Sequence, residues 1–224
     1  MWTIFKAIDR WRVWNNLLDY PVYLPPFRSS KIFISREQAD ANYKYFESVK
    51  AARVDLLIRY LSNRSVHLIL KQSELLHLDR WVHRYGGHLL PDGGDVIYAL
   101  SEYEPVWKAE YHGLNIIHDV AILVGDYIVS NNSDASWGLW YGDGDCQAEE
   151  MPGFYQPCIF GLKNYGYNRP LPILYIVYEH FESGRLRLKH GVTLPRSYDA
   201  VGNFAREIGV LATKDLHGSD FISQ

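Results

Sequence analysis

Four side chains near the middle of this chain are of the types that bind metal ions: His112, His118, Asp119 and Asp126. Neutral imidazole and carboxylate suit zinc or iron. On a helix, His118 and Asp126 fall on roughly one face. A metal-dependent hydrolase using these four residues is one reading. Their spacing matches no HExxH-type signature, and the competing use of His118 and Asp119 is as capping or hydrogen-bonded groups near a helix start. Asp143, Asp145 and Glu149 supply part of a calcium loop but not the further oxygens that such a loop needs at fixed positions. Cys146 stands in no recognisable cysteine-enzyme context. Arg185, Arg187 and Lys189 share one face if 185–190 is a strand, where they either contact phosphates or guard an exposed edge. No GxSxG, P-loop or dinucleotide glycine motif occurs, and neither Gly86-Gly87 nor Gly93-Gly94 is followed by the Lys-Ser/Thr of a phosphate cradle.

The charge distribution is more informative than any of these motifs. Between Lys108 and Lys163 there is no lysine or arginine, yet the stretch holds Glu110, Asp119, Asp126, Asp134, Asp143, Asp145, Glu149 and Glu150. A net charge of −3 therefore conceals a strongly acidic middle within a basic surround. Such asymmetry bears on partners rather than on fold. Part of the same stretch is rich in aromatics. Trp137, Trp140, Tyr141, Asp143, Asp145, Glu149 and Glu150 lie close together, followed by Phe154 and Tyr155. Aromatic anchors with a charged rim are the composition of a protein-binding hot spot, and carboxylates mimic phosphates in the basic cleft of a nuclease. The competing view makes the tryptophans core and the acids solvated loop residues.

The 224 residues suffice for a substantial core, and 47% hydrophobic with 22% charged residues is ordinary for a globular protein. The 17 tyrosines and 7 tryptophans are many, and fit either a tyrosine-rich core or an aromatic recognition surface. Two cysteines, Cys146 and Cys158, suggest a reducing compartment more than a disulfide. The N-terminus mixes Lys6, Asp9, Arg10 and Arg12 with apolar residues, unlike a signal peptide. The most apolar stretch, 114–129, is interrupted by Asn115, His118, Asp119 and Asp126, which argues against a bilayer span. The expectation is a cytoplasmic protein with a protein partner, and with neither nucleic acid nor membrane as its main target. The oligomeric state is open.

The elements that must position these residues follow from periodicity. Ile4, Ile8, Trp11 and Leu18 predict a short amphipathic helix over 2–19, and Pro25-Pro26 breaks the chain after it. Ser35 with Gln38 forms a capping box ahead of a helix reaching Leu61, with Ala39, Phe46, Val54, Leu57 and Tyr60 inward. VHLIL (66–70) is a short strand or a helix lead-in. Ser73 caps a helix to Tyr85, ended by Gly86-Gly87. The stretch 88–105 reads as a loop with one strand at Val96–Leu100, and as a possible sub-boundary. Residues 114–130 favour a central helix over a strand pair, and Gly125 within it permits close approach of another backbone. Residues 137–142 and 157–162 are strand-like. Residues 171–184 favour a helix stopped at Gly184, 185–194 an edge strand, and Pro195 opens a last helix through Ile208. The fold class is α+β, a single domain over 1–224: a helical N-terminal half packed on a mixed helix and antiparallel-sheet C-terminal half.

The segment VAILVGDYIVSNNSDASWGLWYG resembles a pattern in small bacterial proteins, an apolar helix carrying Gly-acid-aromatic followed by a tryptophan strand. Gly125, Asp126, Tyr127 and Trp137 match it; Asn168, Pro170 and Gly184 follow more loosely, with Arg169 intervening. Proteins of this kind occur among bacterial polymorphic-toxin immunity proteins. The resemblance covers about 114–184, identifies no catalytic residue to carry over, and implies a single-domain α+β inhibitor with no cofactor. Its contacts would be Trp137, Trp140, Tyr141, Asp143, Asp145, Glu149 and Glu150, docked on a basic toxin or enzyme domain. A third possibility is a scaffold subunit that oligomerises through its aromatic surface.

Overall fold

The computed structural model describes residues 2–15, 17–66, 68, 72–93, 95–104, 106–142, 151–162, 169–190 and 201–213. In chain order these form α1 (Trp2–Trp14), α2 (Arg36–Ser62), α3 (Gln72–Tyr85), a 3-10 turn (Gly86–Leu89), α4 (Val96–Glu102), a second 3-10 turn (Ala109–Tyr111), α5 (Leu114–Asn131), β1 (Ser136–Leu139), β2 (Pro157–Phe160), α6 (Ile173–His190) and α7 (Asn203–Ala212). A helical N-terminal region packs against a C-terminal region that mixes helices with a small antiparallel sheet, as the periodicity predicts.

The fold is organised around α5. Apolar nearly all round, it packs against α2, α6, α7 and β1. The span Ala109–Asn131 that contains it is long and apolar enough to cross a membrane by length and composition, but 83% of its apolar 18-residue window is buried inside this fold, the pattern of a core helix. One core holds Val13 of α1 and Leu17 just beyond it, Phe46, Leu57 and Leu61 of α2, Leu78 and Trp81 of α3, Phe181 of α6 and Ile208 of α7. A satellite cluster of Trp140, Phe154 and Cys158 lies beside the sheet.

The capping box at Ser35 forms as expected. Gln38 N–H donates to Ser35 Oγ and Ser35 N–H to Gln38 Oε1, at 3.3 and 2.8 Å. The two strands pair antiparallel, with Trp137 opposite Ile159 and Gly138 opposite Cys158. Trp140 and Leu171 extend the pairing through bridges to Phe154 and Ile159.

Several local expectations are corrected. Val96–Leu100 lies in helix α4, not a strand, because Asp95 Oδ1 accepts Tyr98 N–H at 2.9 Å and starts a turn. α3 already includes Ser73, and α1 stops at Trp14 rather than near residue 19. The basic-apolar alternation at 185–190 does not make an edge strand. The segment completes α6, where Arg185 pairs with Glu182 one turn back at 2.6 Å and Arg187, Lys189 and His190 sit at the helix's negative end. Gly184 does not stop that helix. Together with Gly87 it lets α6 and the first 3-10 turn meet backbone to backbone, since a Cβ on Gly87 would overlap Gly184 and the Arg185 amide. Of the expected strand at 66–70, only Val66 and Leu68 are described, and they lie in no strand. α7 begins at Asn203; the expected start at Pro195, and residues 191–194 of the expected edge strand, lie outside the described residues.

Candidate functional site

The acidic and aromatic segment begins where β1 ends. Tyr155 N–H donates to Trp140 O at 2.8 Å, which ties the backbone at Tyr155 to the end of β1. Three of the seven candidate contact residues are described. Asp143, Asp145, Glu149 and Glu150 lie outside the described residues, as does Cys146 and with it the calcium-loop and thiol alternatives.

The three aromatics differ in placement. Trp140 is buried against Phe154, ring centroids 6.3 Å apart, and belongs to the satellite core. Trp137 is half-buried. Its indole lies against Phe46 at 5.1 Å, its Nε1 donates to Asp126 Oδ1 at 2.8 Å, and Lys50 Nζ stands 5.8 Å from the ring. It fills the space that Gly125 leaves on α5: a Cβ there would overlap the indole. The close approach expected at Gly125 is therefore made by a side chain, not a backbone. Only Tyr141 faces solvent, at 37% exposure. The Arg36 guanidinium lies over its ring at 4.0 Å and its hydroxyl donates to Asp40. Those partners come from the first turns of α2, four residues apart on one face. The hydrogen bond to Asp40 leads the effects that hold the phenol above its ordinary range, so Tyr141 stays a neutral donor.

The metal candidates do not converge. Asp119 is fully buried and its charge is spent inside the fold. Arg53 Nε donates to its Oδ1 at 2.8 Å, the Tyr20 hydroxyl donates to Oδ2, and His118 Nδ1 lies 3.2 Å from Oδ1. Burial pushes the His118 imidazole down despite that carboxylate, and its ring packs against Tyr23 at 4.0 Å between centroids. Burial, followed by the Asp119 charge, pushes the Tyr20 phenol far up. His112 Nε2 is bonded to Tyr20 O at 2.8 Å. Asp126 faces Trp137 and Lys50. Among the described residues no three His, Cys, Asp or Glu side chains are grouped to hold a metal ion.

This buried network clamps the 20–27 connector to α5. Asn115 Oδ1 accepts Tyr23 N–H at 2.7 Å while its Nδ2 donates to Trp107 O and His112 O. Arg53 Nη1 donates to Pro21 O at 2.6 Å. Sequence reasoning missed Arg53, although it falls on the inward stripe of α2 between Phe46 and Leu57, where an apolar residue is expected. A cation on an apolar face signals a buried counter-ion.

Three further basic groups of this half gather where helix ends meet. A cleft of about 560 Å³ opens among the C-terminal ends of α1, α2 and α3, with Arg12, Arg59 and Arg64 in its wall. Arg64 Nη1 and Nη2 donate to Tyr60 O and Asn15 O at 3.0 and 2.7 Å. Three negative helix ends meet here, and these arginines answer that field. Two of the three basic residues expected on a strand face at 185–189 are engaged within the chain: Arg185 also donates to Pro91 O at 3.1 Å, and Arg187 to His83 O.

Comparison with protein-family models, with curated proteins and with solved structures yields no significant match.

Proposed function

We propose that this protein is a non-enzymatic, immunity-type inhibitor that docks on a basic toxin or enzyme domain through the face bearing Tyr141. The observation that carries the reading is the Tyr141 group: an exposed ring under Arg36, its hydroxyl tethered to Asp40. Tyrosine and arginine dominate binding hot spots, and a ring already held in place loses little freedom on docking. Behind it, Trp140, Phe154 and Cys158 stiffen the strand end. The resemblance to immunity proteins and the lack of a catalytic motif in the sequence point the same way.

The acidic contribution is narrower than the base-free stretch suggests. Asp119 is neutralised in the core, and Asp126 is engaged by Trp137 and Lys50. Among the described residues Asp40 supplies a carboxylate beside Tyr141, and Asp143, Asp145, Glu149 and Glu150 follow it in the chain. Trp140 contributes rigidity rather than contact. Arg36 makes the face mixed in sign, which favours one docking register over general attraction to bases.

The test is capture of a partner by the tagged chain, followed by binding kinetics at two salt concentrations. Reversing Asp143, Asp145, Glu149 and Glu150 to lysine should slow association about tenfold at low salt and flatten its salt dependence. Tyr141→Ala should speed dissociation, weakening affinity by about 2 kcal/mol, roughly thirtyfold. A captured partner that binds both variants as it binds the parent chain removes this face from the function.

A further inference from the structure

α1 is mounted the wrong way round for a surface helix. It docks through its polar side together with Val13 and Trp14 at its C-terminal end: Lys6 Nζ donates to Leu188 O, Asp9 meets Arg84 at 3.2 Å, Arg10 meets Asp92 at 3.1 Å, Trp14 Nε1 donates to His88 O at 2.8 Å and Val13 is buried in the core. Its apolar side faces outward, with Ile4 64%, Phe5 60%, Ile8 40% and Trp11 66% exposed. Beyond the helix Leu18 is exposed as well. The hydrophobic effect disfavours this orientation, and an apolar stripe of this kind on a folded chain marks an interaction surface.

We infer that this stripe is the contact between two copies of the chain, packed α1 against α1 across a two-fold axis. Three observations select a second copy. First, Ile4, Ile8 and Trp11 recur at intervals of four and three, the seam by which one helix receives another. Ile4, Ala7, Ile8 and Trp11 also line a shallow groove of about 490 Å³. Second, the flanking charges are already satisfied at home: Arg10 by Asp92, and Arg12 and Arg84 by Asp9. Two copies therefore approach without strong repulsion, while an anionic lipid surface gains little from these bases. Third, the area sets the strength. Aromatic side chains offer about 150–250 Å² each, so the exposed stripe amounts to roughly 500 Å² per copy. Two copies bury on the order of 1,000 Å², just below the roughly 1,200–2,000 Å² of stable specific interfaces. The dimer is weak and forms in the micromolar range or above.

The contact is isologous, so one substitution acts twice. Sedimentation over about 5–500 µM should show the mean mass rising from one chain toward two. Ile8→Glu and, separately, Phe5→Asp should hold the protein at one chain mass throughout, with unchanged thermal melting because neither side chain supports the fold. Two outcomes overturn the inference: a single-chain mass at every concentration for the parent, or self-association that persists in both variants. Vesicles of phosphatidylglycerol provide the last arm. Binding to them that Ile8→Glu abolishes, without self-association of the parent, assigns the stripe to lipid and also overturns it.

Discussion

Replacing Arg53 with methionine should destabilise this protein more than almost any other single change that leaves side-chain volume alone. Arg53 and Asp119 form a salt bridge at 2.8 Å, with side chains 6% and 0% exposed. Taking the cation away leaves a carboxylate with no route to water and only the Tyr20 hydroxyl and a neutral His118 beside it. Breaking a buried pair in this way costs about 3–5 kcal/mol. The Arg53 bond to Pro21 O and its position 5.4 Å over the Tyr20 ring go with it. Against a total stability of about 5–15 kcal/mol, that is roughly a fifth or more. Asp119→Leu alone should also be costly, because it leaves the guanidinium buried with Nη2 already lacking a partner. Removing both charges together should cost far less than the two changes summed, because an apolar pair replaces a buried ion pair at little loss; the remaining cost, about 1–3 kcal/mol, is the Tyr20 hydroxyl left without its acceptor. Urea unfolding followed by far-ultraviolet circular dichroism for all four members of the cycle gives the coupling energy. We expect at least 2 kcal/mol. A value under about 0.5 kcal/mol, the additivity expected of independent sites, would refute the claim that this pair holds the 20–27 connector to α5.

Gly125→Ala should destabilise by about 1–3 kcal/mol even though alanine favours helix by about 1 kcal/mol, because the methyl group displaces the Trp137 indole and breaks its bond to Asp126. A red-shifted tryptophan emission and a lower urea midpoint check this, and a stabilised variant would mean that the indole does not occupy that space. The buried His118 and half-buried His88 both have proton affinities lowered by burial. Below the ordinary histidine value of about 6.5, the unfolded chain takes up protons that the folded chain refuses, so stability is complete above that pH and falls as pH drops beneath it. For His118 the slope approaches about 1.4 kcal/mol per pH unit. Urea midpoints at pH 7.5 and 5.5 should differ, and His118→Gln should shrink the difference whatever its effect at pH 7.5.

Much of the fold was legible because local rules decided it. The Ser35–Gln38 capping box, the inward stripe of α2 and the all-apolar α5 each follow from spacing within one segment, and each formed. The failures share a cause. The alternation at 185–190 suits a strand as well as a basic helix end, and Glu182 lies outside the alternating window. Val96–Leu100 looks strand-forming until Asp95 is seen to cap it. Gly86-Gly87 ends α3 as expected, but Gly184 does not stop α6, because the close approach between α6 and the 3-10 turn that requires it cannot be read from either segment alone.

The candidate site divides the same way. The amino-acid sequence alone determined the base-free acidic stretch, the density of aromatics and the absence of familiar catalytic motifs, because composition and spacing are properties of the chain. Only the tertiary structure decided which charges survive to the surface. Asp119 met Arg53 across 66 residues of chain and disappeared into the core, Tyr141 met Arg36 and Asp40 across about a hundred, and the apolar side of α1 was left facing out. A charge or an apolar stripe acts on a partner only if the fold leaves it unanswered. That depends on which distant side chain arrives beside it, and no local pattern carries that information.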